Sequence, residues 1–214
     1  MVYQRCMKSH TTTLKETSAY KQGNTKYYMT ESDLLVKNFD KVVGTYCRAK
    51  RIDKVKSNDA LLYNIDSIDE NSIITETKFL FVEFKSGNIN QKECDSIHSK
   101  LCCSCDMLKN IIEEVDDIYL RNYVDYILVY DLSKQSCKDT RKQLSQEEIQ
   151  YSNARTYIAE QLNCLANGKQ FEYDKFTAGF GLEQYRGNKL HDVMTMEKDR
   201  FNWCLDYITA KYIN

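Results

Sequence analysis

The chain has no proline among its 214 residues, so isomerisation of an X-Pro bond is excluded as a slow folding step. It has no apolar run long enough to span a bilayer. Residues 1–26 are mostly polar and lack the apolar segment of a secretory signal peptide, so we expect a cytoplasmic protein. With 42% hydrophobic and 29% charged residues, the composition is typical of a globular protein.

Neither internal repeats nor low-complexity linkers divide the chain. Residues 1–28 show little periodicity, and Glu16 is the one acidic residue among them. Their basic residues are Arg5, Lys8, Lys15, Lys21 and Lys26. We therefore expect a polar, basic N-terminal arm over residues 1–28, followed by a single α/β domain over residues 29–214.

Cysteine is abundant, and the odd count of nine leaves at least one thiol unpaired in a monomer. Without a secretion signal, we expect the thiols to be reduced. Cys102 and Cys105 have the C-x-x-C spacing of a zinc-ligand pair, but the sequence supplies no second pair. The spacing favours instead a helix, over about residues 90–117, that buries one face: Cys94, Ile97, Leu101, Cys105, Leu108, Ile112 and Val115.

The most informative segment is residues 79–87, Phe-Leu-Phe-Val-Glu-Phe-Lys-Ser-Gly, which predicts a strand that ends at Ser-Gly. Alternation places Leu80, Val82 and Phe84 on one apolar face. Glu83 and Lys85 share the other face, where two charged groups on a largely apolar strand form a local conflict. Such conflicts are typical of functional sites.

A second strand is predicted upstream, over residues 58–65. If the two strands form an antiparallel hairpin, the start of the first lies beside the end of the second. Asp59 then lies close to Glu83 and Lys85, whereas Asp66 belongs to the connection at the far end. We therefore take Asp59 as the second carboxylate and Asp66 as the fallback.

Asp59, Glu83 and Lys85 together match the chemistry of phosphodiester hydrolysis. Two carboxylates are suitable ligands for Mg²⁺, which retains several waters. A bound metal lowers the pKa of a water and neutralises charge on a phosphoryl group. A lysine can orient or help to deprotonate that water, or stabilise the developing negative charge.

On these residues the chain resembles the PD-(D/E)xK nuclease superfamily, over roughly residues 31–132. The match is carried by Asp59 and Glu83-Phe84-Lys85, although Asn58 stands where the nominal motif has proline. The resemblance implies an α/β fold with a restriction-endonuclease-like core: a central mixed β-sheet flanked by helices in the order α-β-β-α-β, with C-terminal helical additions. It also implies that Asp59 and Glu83 bind Mg²⁺ or Mn²⁺ and that Lys85 assists the attacking water, leaving a 5′-phosphate.

The expected substrate is DNA, with RNA as an alternative, and double-strand cleavage would favour a homodimer. The net charge of −1 does not distinguish nucleic acid from other partners. A basic cluster leads directly into Asp59, and basic groups beside a metal site suit a phosphate backbone: Arg48, Lys50, Arg51, Lys54 and Lys56. A solvated charged loop is the plainer explanation. Gln91, which opens the helix after the motif, is a further candidate for phosphate contact.

Simpler readings of the motif stay open. Glu83 and Lys85 could form an ion pair on a solvated edge strand, and Asp59 could begin a strand after a turn. A non-catalytic nucleic-acid-binding or protein-binding regulatory protein could use the same fold. A cysteine-based metal or redox protein is the third hypothesis.

The remaining pattern predicts a helix that begins at residues 30–33, with Glu31 as a helix-capping residue or a weaker third metal ligand. A strand over residues 123–130 is expected to pair in parallel with the motif strand. Further along we expect a helix over residues 145–167, short strands within residues 171–187 and a final helix. That final helix would bury Phe201, Cys204, Leu205, Ile208 and Tyr212. His191 is taken as structural.

Overall fold

The computed structural model describes residues 6–7, 9–64, 77–135 and 178–213. The strands are β1 (Thr11–Thr13), β2 (Ala19–Gln22), β3 (Thr25–Tyr28), β4 (Leu35–Asn38), β5 (Ala60–Leu62), β6 (Phe79–Lys85), β7 (Val124–Tyr130) and β8 (Asp192–Glu197). The helices are α1 (Leu14–Thr17), α2 (Phe39–Lys50), α3 (Gln91–Ile111), α4 (Asp117–Tyr123), α5 (Lys198–Trp203) and α6 (Leu205–Tyr212). Within the described ranges, no helix combines the length and apolar character needed to cross a membrane.

Six strands form one mixed sheet in the order β1-β4-β5-β6-β7-β8. Neighbours from β1 to β6 are antiparallel, whereas β6, β7 and β8 run in parallel. The predictions of an α/β fold with a mixed sheet, and of parallel pairing between β6 and β7, are confirmed. The described chain order is α2-β5-β6-α3-α4-β7, which is the expected succession of helix, two strands, helix and strand with one short helix, α4, added before β7.

Strand β6 lies inside the sheet and is covered on both faces. Phe79 and Phe81 pack in a core cluster with side chains of α2 and α3. Leu80, Val82 and Phe84 pack in a second cluster with side chains of α5 and α6. Parallel strands are typically buried on both faces, which accounts for the nearly continuous apolar sequence of β6. Glu83 shares the face of Phe81 and so lies beneath α3.

Residues 11–28 belong to the folded structure, which corrects the expectation of an arm over residues 1–28. Strand β1 pairs with β4, and β2 and β3 form a separate hairpin. Leu14 is fully buried and anchors the segment in the second cluster. The polar sequence is explained by the position of β1 at the edge of the sheet, where few side chains need to be apolar.

The helix predicted from residue 30 begins later, because residues 35–38 form β4 instead. Asn38 is the N-cap of α2, and its side chain accepts the backbone N–H of Lys41 at 3.0 Å. Strand β4 has partners on both sides, β1 and β5. This tertiary pairing overrides a pattern of Leu34, Leu35 and Phe39 that also fits a helix.

Helix α3 confirms the prediction of a helix that buries one face of its cysteine-rich sequence. Cys94, Ile97, Leu101, Cys105 and Leu108 are buried in it. It ends at Ile111, earlier than expected, and the chain turns before α4 begins at Asp117.

The C-terminal region differs most from its prediction. Strand β8, which the sequence analysis missed, pairs with β7, and two helices replace the single final helix. Phe201, Cys204, Ile208 and Tyr212 are nonetheless buried as expected, and Leu205 is partly buried. The described part of residues 171–187 contains a short 3₁₀ helix, Leu182–Tyr185, rather than a strand pair. The predicted helix over residues 145–167 and the fallback Asp66 lie outside the described residues.

Candidate active site

Antiparallel pairing of β5 and β6 brings Asp59 beside Glu83. Ala60 lies opposite Val82 in the register, so Asp59, one residue before β5, reaches the end of β6. Its Oδ2 accepts the backbone N–H of Phe84 at 2.8 Å. The hairpin thus gathers the three residues singled out from the sequence, Asp59, Glu83 and Lys85, at one end of two adjacent strands.

Glu83 is fully buried, with 0% of its side chain exposed. Its Oε1 accepts a hydrogen bond from Lys100 Nζ at 2.7 Å, and Lys85 Nζ lies 3.5 Å away. Its Oε2 has no hydrogen-bond partner among the described residues. Burial, and next the nearby Asp59 carboxylate, raise the pKa of Glu83 to about 8, against the opposing effect of the two lysines.

Asp59 is the more accessible carboxylate, with 26% of its side chain exposed. Burial raises its pKa, while Lys100, the N–H of Phe84 and Lys85 act in the opposite direction. A cation placed beside the two carboxyl groups would favour their charged forms against the effect of burial.

Lys85 contacts a carboxylate that the sequence analysis did not consider. Its Nζ lies 3.0 Å from Oε2 of Glu93, in the first turn of α3. That hydrogen bond lowers the pKa of Glu93. Lys85 therefore bridges Glu83 of β6 and Glu93 of α3.

Lys100 of α3 completes the site and was missed by the sequence analysis. Its Nζ lies 3.6 Å from Asp59 Oδ1 as well as 2.7 Å from Glu83 Oε1. Burial acts to lower the pKa of Lys100, but Glu83 and Asp59 raise it overall. Glu93 and Lys100 are seven residues apart, two helical turns, and this shared face is the signal that could have indicated the lysine.

The same face of α3 contacts the residue before Asp59. Ser104 is buried, and its Oγ accepts the backbone N–H of Asn58 at 2.8 Å. The Asn58 side chain is itself fully buried, and neither of its polar atoms has a hydrogen-bond partner among the described residues. Helix α3 therefore fixes the backbone of the site as well as supplying its lysine.

A pocket of about 380 Å³ lies next to Asp59 and Lys100. Its other lining residues are mostly polar: Glu16, Thr17, Asn38, Asp40, Lys41, Lys56 and Ser57. The pocket therefore gives solvent access to Asp59, whereas Glu83 is fully buried and does not line it.

Of the basic residues proposed to contact nucleic acid, Lys56 lines this pocket. Lys54 forms an ion pair with Asp40 at 2.6 Å, on the pocket wall. Arg48, Lys50 and Arg51 are exposed at the C-terminal end of α2 and do not line the pocket. Gln91 donates to Asp95 and lines a different pocket, together with His98.

The residues present fit a divalent metal of the magnesium type. Mg²⁺ typically uses one or two protein carboxylates and keeps several waters, and the site offers Asp59 and Glu83. The buried Oε2 of Glu83 is a carboxylate oxygen without a hydrogen-bond partner among the described residues. Across those residues, no group of three or more His, Cys, Asp or Glu side chains gathers as a metal cage.

The other candidates have different partners. Glu31 is exposed and pairs with Lys15 at 2.6 Å; no helix of the described ranges begins beside it, so it is not a helix cap, and it does not line the pocket next to Asp59. His191 Nδ1 lies 2.7 Å from Asp125 Oδ1, a contact in keeping with the structural role expected for it. Cys105 is buried in α3, where burial raises the pKa of its thiol to about 12.

No protein-family model, curated protein or solved structure matches the chain.

Proposed function

We propose that the chain is a metal-dependent nuclease, with a restriction-endonuclease-like core, that hydrolyses phosphodiester bonds in DNA. The observation that carries the proposal is Glu83, a fully buried carboxylate beside Asp59 and two lysines, with one oxygen that has no hydrogen-bond partner in the described part of the chain. Burying a carboxylate without a full set of partners is costly, so a purely structural role offers a poor explanation. The succession α2-β5-β6-α3, followed by the short helix α4 and then β7, also supports this core.

Asp59 and Glu83 would hold Mg²⁺ or Mn²⁺. The metal supplies an activated water and charge neutralisation at phosphorus. Lys85 lies within ion-pair distance of Glu83 and Glu93, which holds its ammonium group beside one of the proposed metal ligands, where it would assist the attacking water. Lys56 and Lys41, on the pocket wall, would attract the phosphate backbone of the substrate.

A cleavage assay on single- and double-stranded DNA and RNA tests the proposal, with Mg²⁺, Mn²⁺ or EDTA present. We expect metal-dependent cleavage that falls by about 10²–10⁴-fold in Asp59→Asn, Glu83→Gln and Lys85→Ala. Lys78→Ala is the matched control, because Lys78 is exposed and precedes the opposite end of β6. Wild-type activity in the Lys85→Ala protein would contradict the assignment of that residue. Comparing the substrates also decides between DNA and RNA.

A second candidate is a non-catalytic binding protein on the same fold, and one observation favours it. Lys100 already provides positive charge to both carboxylates, so the pair is partly neutralised without a metal. Thermal denaturation with and without Mn²⁺ separates the two functions. A nuclease should gain about 2–3 kcal/mol of stability at a Mn²⁺ concentration a hundredfold above its Kd, and Glu83→Gln should remove that gain. A binding protein of the second kind should show no such gain.

A further inference from the structure

The two lysines of the site have different relationships to the carboxylates. Lys85 lies within ion-pair distance of Glu83 and Glu93, whereas Lys100 lies within that distance of both Asp59 and Glu83. Lys100 also lines the pocket beside Asp59, and Lys85 does not. Among the described residues, Lys100 is thus the cation that contacts both proposed metal ligands.

We propose that Lys100 is a built-in counter-cation of the Asp59–Glu83 pair, which competes with a divalent metal and contacts the substrate phosphate once the metal is bound. The inference rests on the proposed function and assigns a role within the same site. It gives Lys100 a role that is distinct from that of Lys85, the lysine of the Glu-x-Lys motif.

The position of Lys100 supports competition. The ammonium group of Lys100 lies 2.7 Å from Glu83 Oε1 and 3.6 Å from Asp59 Oδ1. It therefore occupies space that a metal bound by both carboxylates would need, and it offsets part of the negative charge that would attract the metal. At such separations, in a partly buried site, repulsion between an ammonium and a divalent cation is strong. A metal that binds both carboxylates must therefore weaken their contacts with Lys100.

The backbone of Lys100 is fixed, so the side chain can move only within its own reach. The next residue, Leu101, is fully buried in the core beneath α3. The Lys100 side chain is 21% exposed and borders the pocket. On leaving the carboxylates, its ammonium would remain at the pocket, next to the place where the substrate would approach Asp59.

Charge balance explains why that ammonium would then hold a phosphate. With both metal ligands ionised, as metal binding requires, three carboxylates and two ammonium groups contribute a charge of −1: Asp59, Glu83, Glu93, Lys85 and Lys100. A divalent cation changes this to +1, and a single phosphodiester anion restores neutrality. Lys100 therefore stabilises the carboxylates before the metal binds and stabilises the bound phosphate of the substrate afterwards.

The test measures Mn²⁺ affinity by calorimetry in the wild type, Lys100→Met and Lys85→Met, with cleavage measured in parallel. Methionine keeps much of the side-chain stem and removes the charge. We expect Lys100→Met to bind Mn²⁺ about tenfold more tightly or better and yet to cleave about 10²-fold more slowly at saturating Mn²⁺. Lys85→Met, the matched control, should lose cleavage with a smaller change in Mn²⁺ affinity. Lys100→Arg should keep the wild-type Mn²⁺ affinity, because it keeps the charge.

A gain in affinity cannot arise from misfolding, so it separates this role from a structural one. If Lys100→Met does not fold, Lys100→Gln serves for the same measurement. Mn²⁺ affinity that is unchanged or weaker in the neutral variant would overturn the proposal. Tighter Mn²⁺ binding in a protein that cleaves no nucleic acid would uphold the counter-cation role while refuting the nuclease function. Absence of Mn²⁺ binding in all variants would refute both.

Discussion

Replacing Glu83 by glutamine should remove part of the pH dependence of the unfolding free energy, whatever reaction the protein performs. Burial raises the pKa of Glu83 from 4.5 to about 8, so the folded protein keeps a proton that the unfolded chain releases. The stabilising proton is fully effective below pH 4.5, and stability falls as pH rises toward 8. Glutamine cannot titrate and still offers an oxygen to Lys100.

The magnitude follows from the size of the shift. One pKa unit corresponds to about 1.4 kcal/mol, so between pH 5 and pH 8.5 the wild type should lose about 4 kcal/mol of unfolding free energy that Glu83→Gln keeps. Urea denaturation at both pH values, with EDTA present to exclude metal binding, measures this difference.

Glu93→Gln is the matched control for this measurement. Glu93 has a side chain that is 41% exposed, and its pKa is lowered through the hydrogen bond from Lys85. Its contribution is therefore lost only as pH falls below about 4.5, outside the chosen window. Parallel pH profiles for the wild type and Glu83→Gln would refute the reasoning, since Glu83 would then be ionised in the folded protein throughout.

Three further predictions concern the core around the site. Tyr126→Phe should leave the unfolding free energy unchanged or raise it by up to about 1 kcal/mol, because the buried Tyr126 hydroxyl has no hydrogen-bond partner among the described residues; a clear loss in urea denaturation would contradict this. Cys105 should resist iodoacetamide at pH 8 in the native protein, since burial raises its pKa to about 12, whereas the less buried Cys103 should react. Peptide mass spectrometry distinguishes the two thiols. Leu101→Ala should cost about 2–5 kcal/mol in urea denaturation, because Leu101 is fully buried beneath α3; a loss below about 1 kcal/mol would show that the core collapses around the gap.

The strands and helix at the centre of the fold could be predicted because their sequences carry strong local signals. The apolar run of β6 ends at Ser86-Gly87, and α3 repeats its buried residues at helical spacing. The antiparallel hairpin then followed from the order of the two strands. Asp59 and Glu83 could be paired in this way without any knowledge of the rest of the sheet.

The edges of the sheet could not be predicted from local patterns, and for the second lysine the sequence offers only the helix face that it shares with Glu93. Strands β1 and β8 are defined by their neighbours β4 and β7 rather than by a distinctive sequence of their own. The sequence from Leu34 to Phe39 is compatible with both a helix and a strand. The strand β4 forms because β1 and β5 pair with it on its two sides. The place of Lys100 depends on how α3 is rotated over β6, which is set by the packing of residues such as Ile97 and Leu101.

The late position of β8 in the chain has a consequence for synthesis on the ribosome. Every residue of β7 is buried in the finished sheet, and one of its hydrogen-bonding edges is covered by β8. Strand β8 cannot cover that edge until residues 131–191 have been translated, so a completed β7 has to wait for its partner. An unpaired strand edge is a site for wrong pairing, so we expect chaperones that shield such edges to slow aggregation of the nascent chain in this interval.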